Sequence, residues 1–369
     1  MKRKFIISGG GTGGHIFPAI SIANALKKQL PDADILFVGA LGRMEMERVP
    51  AAGYPIEGLP VSGLDRKNMF RNVKVLLNFL QSQMLARKII RKFNPDVAIG
   101  VGGYASAPTL RAASGLGVPT VLQEQNSYAG VTNKLLAKKA SRICVAYDGM
   151  DRFFPKDKII LTGNPVRQDL FSIAPKTEEA YRFFELDPTK KTILVVGGSL
   201  GARTINQSIT AGLNKIAKAK DVQVIWQTGK FYIKDARMAC HCFTASGLVV
   251  TDFVSRMDLA YSIADLVISR AGASSISELC LLGKPVILVP SPNVAEDHQT
   301  QNALALVRKD AAILIKDVDA KEQLLDKALE LIQQDDELKK LSENILKLAE
   351  VDSADRIANE ILKLIPQNS

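Results

Sequence analysis

Cysteine is scarce in this chain, four residues in 369 (Cys144, Cys240, Cys242 and Cys280), and their spacing traces no disulfide framework. That excludes a small stapled scaffold and suits a reducing compartment. Cys240-His241-Cys242 resembles part of a zinc site, but a closed site takes four ligands and Cys280 is the only other candidate nearby, so no metal is expected. The sequence also lacks an apolar run long enough to cross a bilayer. Its start imitates a signal peptide: Lys2-Arg3-Lys4, no formal charge until Lys27, and a cleavage-like Ala23-Asn24-Ala25. The glycine-rich GGGTGGH at residues 9–15 interrupts the apolar stretch, so a mature cytosolic start is expected.

What is present is an ordinary globular composition, 47% hydrophobic and 23% charged. A length of 369 residues exceeds one ordinary core and favours two domains. The net charge of +10 fits nucleic acid, a phosphate-rich substrate or an anionic membrane, and only its distribution chooses among them. Short β-branched runs at 35–38, 97–101, 120–122, 143–145, 159–161, 222–226, 248–251, 266–269, 286–289 and 312–315 alternate with helical patterns. That alternation predicts parallel sheets covered by helices on both faces. Gly163-Asn164-Pro165 reads as a junction, giving domains 1–164 and 165–351. An amphipathic pattern from Asp335 to Ile365 breaks near Asp352-Ser353 and no strand follows, so a final helix over 352–369 is expected to pack back on the first domain.

A strand-like run empties into a glycine loop twice. Residues 4–8 (KFIIS) lead into GGGTGGH, and residues 192–196 (TILVV) lead into GGSLGAR at 197–203. Strand, tight turn and helix N-terminus together present unpaired N–H groups and the positive end of a helix dipole to an anion. Gly9-x-Gly11-x-x-Gly14 satisfies the dinucleotide fingerprint, with Asp32 or Asp34 as the ribose acid. Yet Asp34 precedes the second strand, whereas a ribose acid sits at a strand's carboxyl end. The same position argues against Asp32-Ala33-Asp34 as a metal-binding pair. His15 ends the first loop at a helix start, where the dipole favours the neutral ring, so it is a candidate general base as well as a capping residue.

Other polar segments follow strands. Gly102-Gly103-Tyr104-Ala105-Ser106 is a third glycine turn, and Gln123-Glu124-Gln125-Asn126-Ser127 carries amides suited to sugar hydroxyls. In the second half, Arg270-Ala271-Gly272-Ala273-Ser274-Ser275 runs into Ile276-Ser277-Glu278, a helix N-terminus for phosphate with an acid for a ribose diol. Glu296-Asp297-His298-Gln299 follows another strand.

Taken in order along the chain, GGGTGGHIFPA, VGGYASAP, QEQNSYAGVTNK, GNPVR, GGSLGAR, SRAGASSISE and EDHQTQNA resemble the bacterial N-acetylglucosaminyltransferases that convert lipid I to lipid II. The resemblance covers essentially the whole chain. It implies an α/β fold of two Rossmann-like domains facing a cleft (GT-B), and inverting transfer from UDP-N-acetylglucosamine to the muramyl 4-hydroxyl of lipid I. No cofactor, no active-site metal and no nucleic-acid partner are implied. Donor contacts would come from Thr12, Gly13, Gly14, Asn126, Arg167, Ser199, Val254, Ala273, Ser274, Ser275, Ile276, Ser277, Glu278 and Gln299. Where the family commonly has His-Glu-Gln-Asn this chain has Gln123-Glu124-Gln125-Asn126. That shifts the base assignment toward His15, with Glu124 the alternative. An epimerase of the same sugar nucleotide and a nicotinamide-dependent oxidoreductase are the rival readings.

From Arg66 to Lys92 there are eight basic residues and no acidic one. Val75, Leu76, Leu77, Phe79 and Leu80 spread over roughly 200° of a helix at about 100° per residue, more than a core-facing stripe needs. Leu76, Phe79 and Leu80 are therefore expected to meet an anionic membrane surface, as a peripheral contact on the cytoplasmic face of the inner membrane. A solvated basic face is the plainer alternative.

Overall fold

The computed structural model describes residues 2–11, 13–62, 69–166, 170, 172–198, 200–241, 247–294 and 297–365, with backbone only for 69–74. The chain divides into two compact units, Met1–Arg167 with Glu350–Ser369, and Gln168–Ala349.

The first unit alternates strand and helix. In chain order it has β1 (Lys4–Ser8), α1 (Gly13–Gln29), β2 (Asp34–Ala40), α2 (Glu45–Ala51), β3 (Ile56–Leu59), α3 (Met69–Phe93), β4 (Val97–Gly100), α4 (Ser106–Gly115), β5 (Thr120–Glu124), α5 (Val131–Leu136), β6 (Arg142–Val145) and β7 (Ile159–Leu161). The seven strands form a sheet in the order β3-β2-β1-β4-β5-β6-β7, each pair parallel. Both faces are covered, so alternate residues of one strand enter different cores. Phe5 and Ile7 of β1 pack with Ile16, Ile22 and Leu26 of α1, while Ile6 joins Ile90 of α3 and Leu110 of α4 on the other side. Of these strands only β3 escaped the sequence reading. Its IEGL is short and holds Gly58, whose missing β-carbon leaves room for Leu41.

The second unit contains α6 (Glu178–Phe184), β8 (Lys191–Val196), α7 (Arg203–Ala211), α8 (Leu213–Lys218), β9 (Val222–Gln227), α9 (Ile233–Cys240), β10 (Leu248–Thr251), α10 (Met257–Ile263), β11 (Leu266–Ser269), α11 (Ala273–Leu281), β12 (Val286–Leu288), α12 (His298–Val307), β13 (Ile313–Leu314), α13 (Asp317–Leu331) and α14 (Asp335–Leu346). Its parallel sheet runs β10-β9-β8-β11-β12-β13. Trp226, fully buried, satisfies its indole N–H on Asn206 Oδ1 at 2.9 Å.

The chain then turns at Asp352, left-handed at φ 57°, and enters α15 (Ser353–Leu362). Ile357, Ala358 and Ile361 of α15 are fully buried in the first unit's core beside α1. Arg356 donates to the Leu161 carbonyl and to Glu350, fixing this return at the end of β7.

Candidate active site

In the first unit, three loops meet at the carboxyl edge of β1, β4 and β5, where an open parallel sheet places its ligands. The first and third glycine turns interlock. A β-carbon on Gly103 would lie 2.3 Å from the Gly10 carbonyl oxygen, so only glycine lets the two backbones approach. One on Gly102 would lie 2.8 Å from Nε2 of His15. The imidazole thus rests against the third turn, in the first turn of α1, which Gly13 and Gly14 open. Ser106 ties the same corner, donating to the Ser8 carbonyl at 2.6 Å or to the Gly102 carbonyl at 2.9 Å.

The amide-rich segment behaves differently from its sequence reading. Strand β5 continues through Gln123 and Glu124, both buried. Gln123 donates to Asn164 Oδ1 at 3.0 Å and accepts from Gln125, which also donates to the Val101 carbonyl at 2.8 Å. Asn164 donates to the Gln125 carbonyl at 2.9 Å. These amides are spent on one another, as buried polar groups must be. Glu124 is 2% exposed, and its carboxylate accepts four N–H donors. Asn126 N and Nδ2 reach Oε1 at 3.1 and 3.2 Å, and Gly130 N and Asn133 Nδ2 reach Oε2 at 3.0 and 2.9 Å. It organises the loop that holds Asn126.

In the second unit a cavity of about 670 Å³ opens at the carboxyl edge of the sheet, lined by Gly197, Gly198, Arg203, Arg270, Ser275, Glu278 and Gln299 among others. Two helices begin there without a side-chain cap, α7 after Ala202 and α11 after Gly272. Their first N–H groups and dipole ends make the wall suited to an anion. Within α11, the Ser274 hydroxyl is buried without a partner. The Ile276 side chain is turned into the core and Ser277 Oγ bonds back to Ala273 O at 3.0 Å. Glu278 accepts from the Tyr261 hydroxyl at 3.1 Å, and Gln299 Oε1 accepts from Ser291 N at 2.8 Å. Val254 is buried, and its N–H donates to Gln227 Oε1 at 3.0 Å.

Gln227 and Asp317 escaped the sequence reading. Gln227 also donates to the Gly198 carbonyl at 3.1 Å, joining the second glycine loop to the segment before α10. Asp317 accepts from Thr204 at 2.8 Å and pairs with Arg270, whose charge is thereby held inside the cavity wall. Both act across long stretches of sequence, so no local pattern marks them. Cys280 is buried, and burial pushes its thiol up to about 12, far from a metal-ligating thiolate. Among the described residues no group of three or more His, Cys, Asp or Glu side chains could hold a metal ion. Thr12, Arg167, Ser199 and Cys242 lie outside the described residues.

On α3, Leu76, Leu77, Leu80 and Met84 are 60%, 61%, 52% and 67% exposed. They fall within about 100° of the helix surface. Phe79 differs from its expected place, because it lies on the flank that packs against the core. No described helix is long and apolar enough to cross a membrane.

Residues 5–145 match the glycosyltransferase family 28 N-terminal domain, and residues 192–357 match the family 28 C-terminal domain. A protein of Phocaeicola vulgatus named UDP-N-acetylglucosamine–N-acetylmuramyl-(pentapeptide) pyrophosphoryl-undecaprenol N-acetylglucosamine transferase is 68% identical over 362 residues, 98% of this chain and 96% of its own length. A protein of the same name from Parabacteroides distasonis is 66% identical over 99% of both chains. Among solved structures, Acinetobacter baumannii MurG superimposes with a TM-score of 0.78 at 25% identity, covering 98% of this chain and 99% of that one.

Proposed function

The chain belongs to glycosyltransferase family 28, and from that premise we infer that it transfers N-acetylglucosamine from UDP-N-acetylglucosamine to the muramyl 4-hydroxyl of lipid I, giving lipid II for peptidoglycan. It is a UDP-N-acetylglucosamine-dependent N-acetylglucosaminyltransferase of the GT-B fold. The observation that carries the donor assignment is the second unit's cavity, where two uncapped helix N-termini stand beside Glu278 and Gln299.

In the proposed arrangement the diphosphate lies against the first turn of α11, at Ala273, Ser274 and Ser275. Ile276 and Ser277 contribute only through the backbone of that turn. Glu278 takes the ribose hydroxyls, and Gln299 takes hydroxyls of the N-acetylglucosamine. The Val254 N–H is committed to Gln227, so its carbonyl is the group left to meet uracil. Thr12, Gly13, Gly14, Asn126, Arg167 and Ser199 complete the donor contacts.

The reaction is one displacement. The muramyl O4 attacks C1 of the donor sugar, its proton passes to His15, and the C1–O bond to the diphosphate breaks with inversion. The charge developing on UDP is met by preorganised N–H groups and Arg167. Glu124 is the weaker base candidate, because four N–H donors already surround its buried carboxylate. Incubation with UDP-N-acetylglucosamine and a lipid I analogue, followed by anomeric analysis of the product, tests the reaction; free sugar products formed without acceptor would favour an epimerase. His15→Ala is expected to lower turnover at least about a hundredfold, and near-normal turnover removes the base assignment.

The exposed face of α3, with Leu76 and Leu80, is proposed to rest on anionic lipid at the cytoplasmic face of the inner membrane, as a peripheral contact that brings the lipid-linked acceptor within reach.

A further inference from the structure

Glu45 belongs to none of the motifs above and has no part in the proposed displacement. It opens α2 and is 1% exposed. Its carboxylate reaches under the first glycine loop, where Oε2 accepts the Gly11 N–H at 2.8 Å and Oε1 accepts the Ala40 N–H at 3.0 Å. The space it fills is made by two glycines. A β-carbon on Gly10 would lie 2.2 Å from Glu45 Cδ, and one on Gly39 would lie 2.6 Å from its Cγ. Among the described residues no ion pair involves Glu45. Burying a carboxylate without a counter-charge is costly, and here the compensation is two backbone N–H groups, one of them in the loop that ends at His15.

We propose that Glu45 is a positioning residue for the transfer reaction: it fixes the first glycine loop, and through it sets where His15 stands. This rests on the reading of His15 as the base. The second unit pins its own loop differently, with a neutral group, Gln227, which donates to a carbonyl, at Gly198, and takes none of that loop's N–H groups. In the first loop the Gly11 N–H is spent inward. The loop is therefore braced as a platform for the base and the sugar, and its capacity for an anion is confined to the start of α1.

Glu45→Gln keeps the shape but turns one acceptor into a donor facing an N–H, so either Gly11 or Ala40 loses its partner. The expected result is a turnover number at least about tenfold lower with UDP binding, measured by calorimetry, within twofold of the parent. Peptides covering residues 9–16 should exchange amide hydrogens faster. The decisive readout is the double variant: if Glu45 acts through His15, combining Glu45→Gln with His15→Ala is no slower than His15→Ala alone, whereas a general loss of structure multiplies the two losses. Turnover of Glu45→Gln within twofold of the parent overturns the proposal, and so do multiplied losses. If His15→Ala is itself near normal while Glu45→Gln is slow, the base assignment fails and the brace is acting on the sugar. If Glu45→Gln does not fold, exchange in the parent protein decides: a Gly11 amide that exchanges as fast as an open loop overturns the proposal.

Discussion

Glu124 carries two readings, a general base and a brace for its own loop. From the sequence it is an acid beside amides at a strand's end, the composition of a sugar site or of a general base. In three dimensions its two oxygens are occupied by N–H groups from Asn126, Gly130 and Asn133. Glu124→Gln should therefore act first on the loop. An amide nitrogen placed against Gly130 N and Asn133 Nδ2 leaves buried donors unmatched, at about 1–3 kcal/mol each. A melting temperature lower by several degrees, with turnover falling in parallel, is the expected pattern in a thermal scan. Unchanged melting with lost turnover would return Glu124 to the chemistry. His15→Ala should do the reverse, because removing a half-buried imidazole at a loop leaves the core intact.

At the scale of elements, the parallel sheets were legible because a strand buried on both faces is mainly apolar, as residues 97–100 and 266–269 are, and residues 222–227 keep that character around two buried glutamines. The amphipathic break at Asp352 was legible too, since the left-handed turn there falls between two stripes. What the pattern did not carry was side-chain direction. Phe79 counted as one more apolar residue of a broad arc, yet it packs, half-buried, against the core that holds Ile90 and Leu110. The exposed face is Leu76, Leu77, Leu80 and Met84, continued by Arg87, Lys88 and Arg91 toward the helix's end. Apolar residues flanked by basic ones suit an anionic lipid surface. Changing Leu76, Leu80 and Met84 to Asp should abolish flotation with anionic vesicles and leave transfer to a water-soluble acceptor analogue within about twofold, since no core contact is lost. Changing Phe79 to Asp should instead destabilise the fold, by burying a charge without a partner. Flotation that survives both the triple change and high salt would leave α3 as a solvated basic helix.

At the scale of the molecule, the chain builds its first unit from both of its ends. Segment 4–161 supplies seven strands, but the core on the α1 side is closed by α15, nearly two hundred residues later. Ile357 and Ile361, both fully buried, record the strength of that contact. Full burial of one such side chain is worth about 1.5–3 kcal/mol, so losing these two with Ala354, Ala358 and Ile365 removes an amount comparable to the whole stability of a typical domain. A chain ending at Ala349 should therefore fail in one unit only. Its first unit should bind a hydrophobic dye and exchange amides along β1 and β4 within the dead time, because Phe5, Ile7 and Ile99 lose their cover. Its second unit keeps every strand of its own sheet, the cavity at α7 and α11, and the Gln227 and Asp317 links. UDP binding by calorimetry should persist in that truncated chain while transfer is lost. Persistence of both would mean that α15 only decorates the first unit, and loss of both would mean that the second unit depends on the first for its fold.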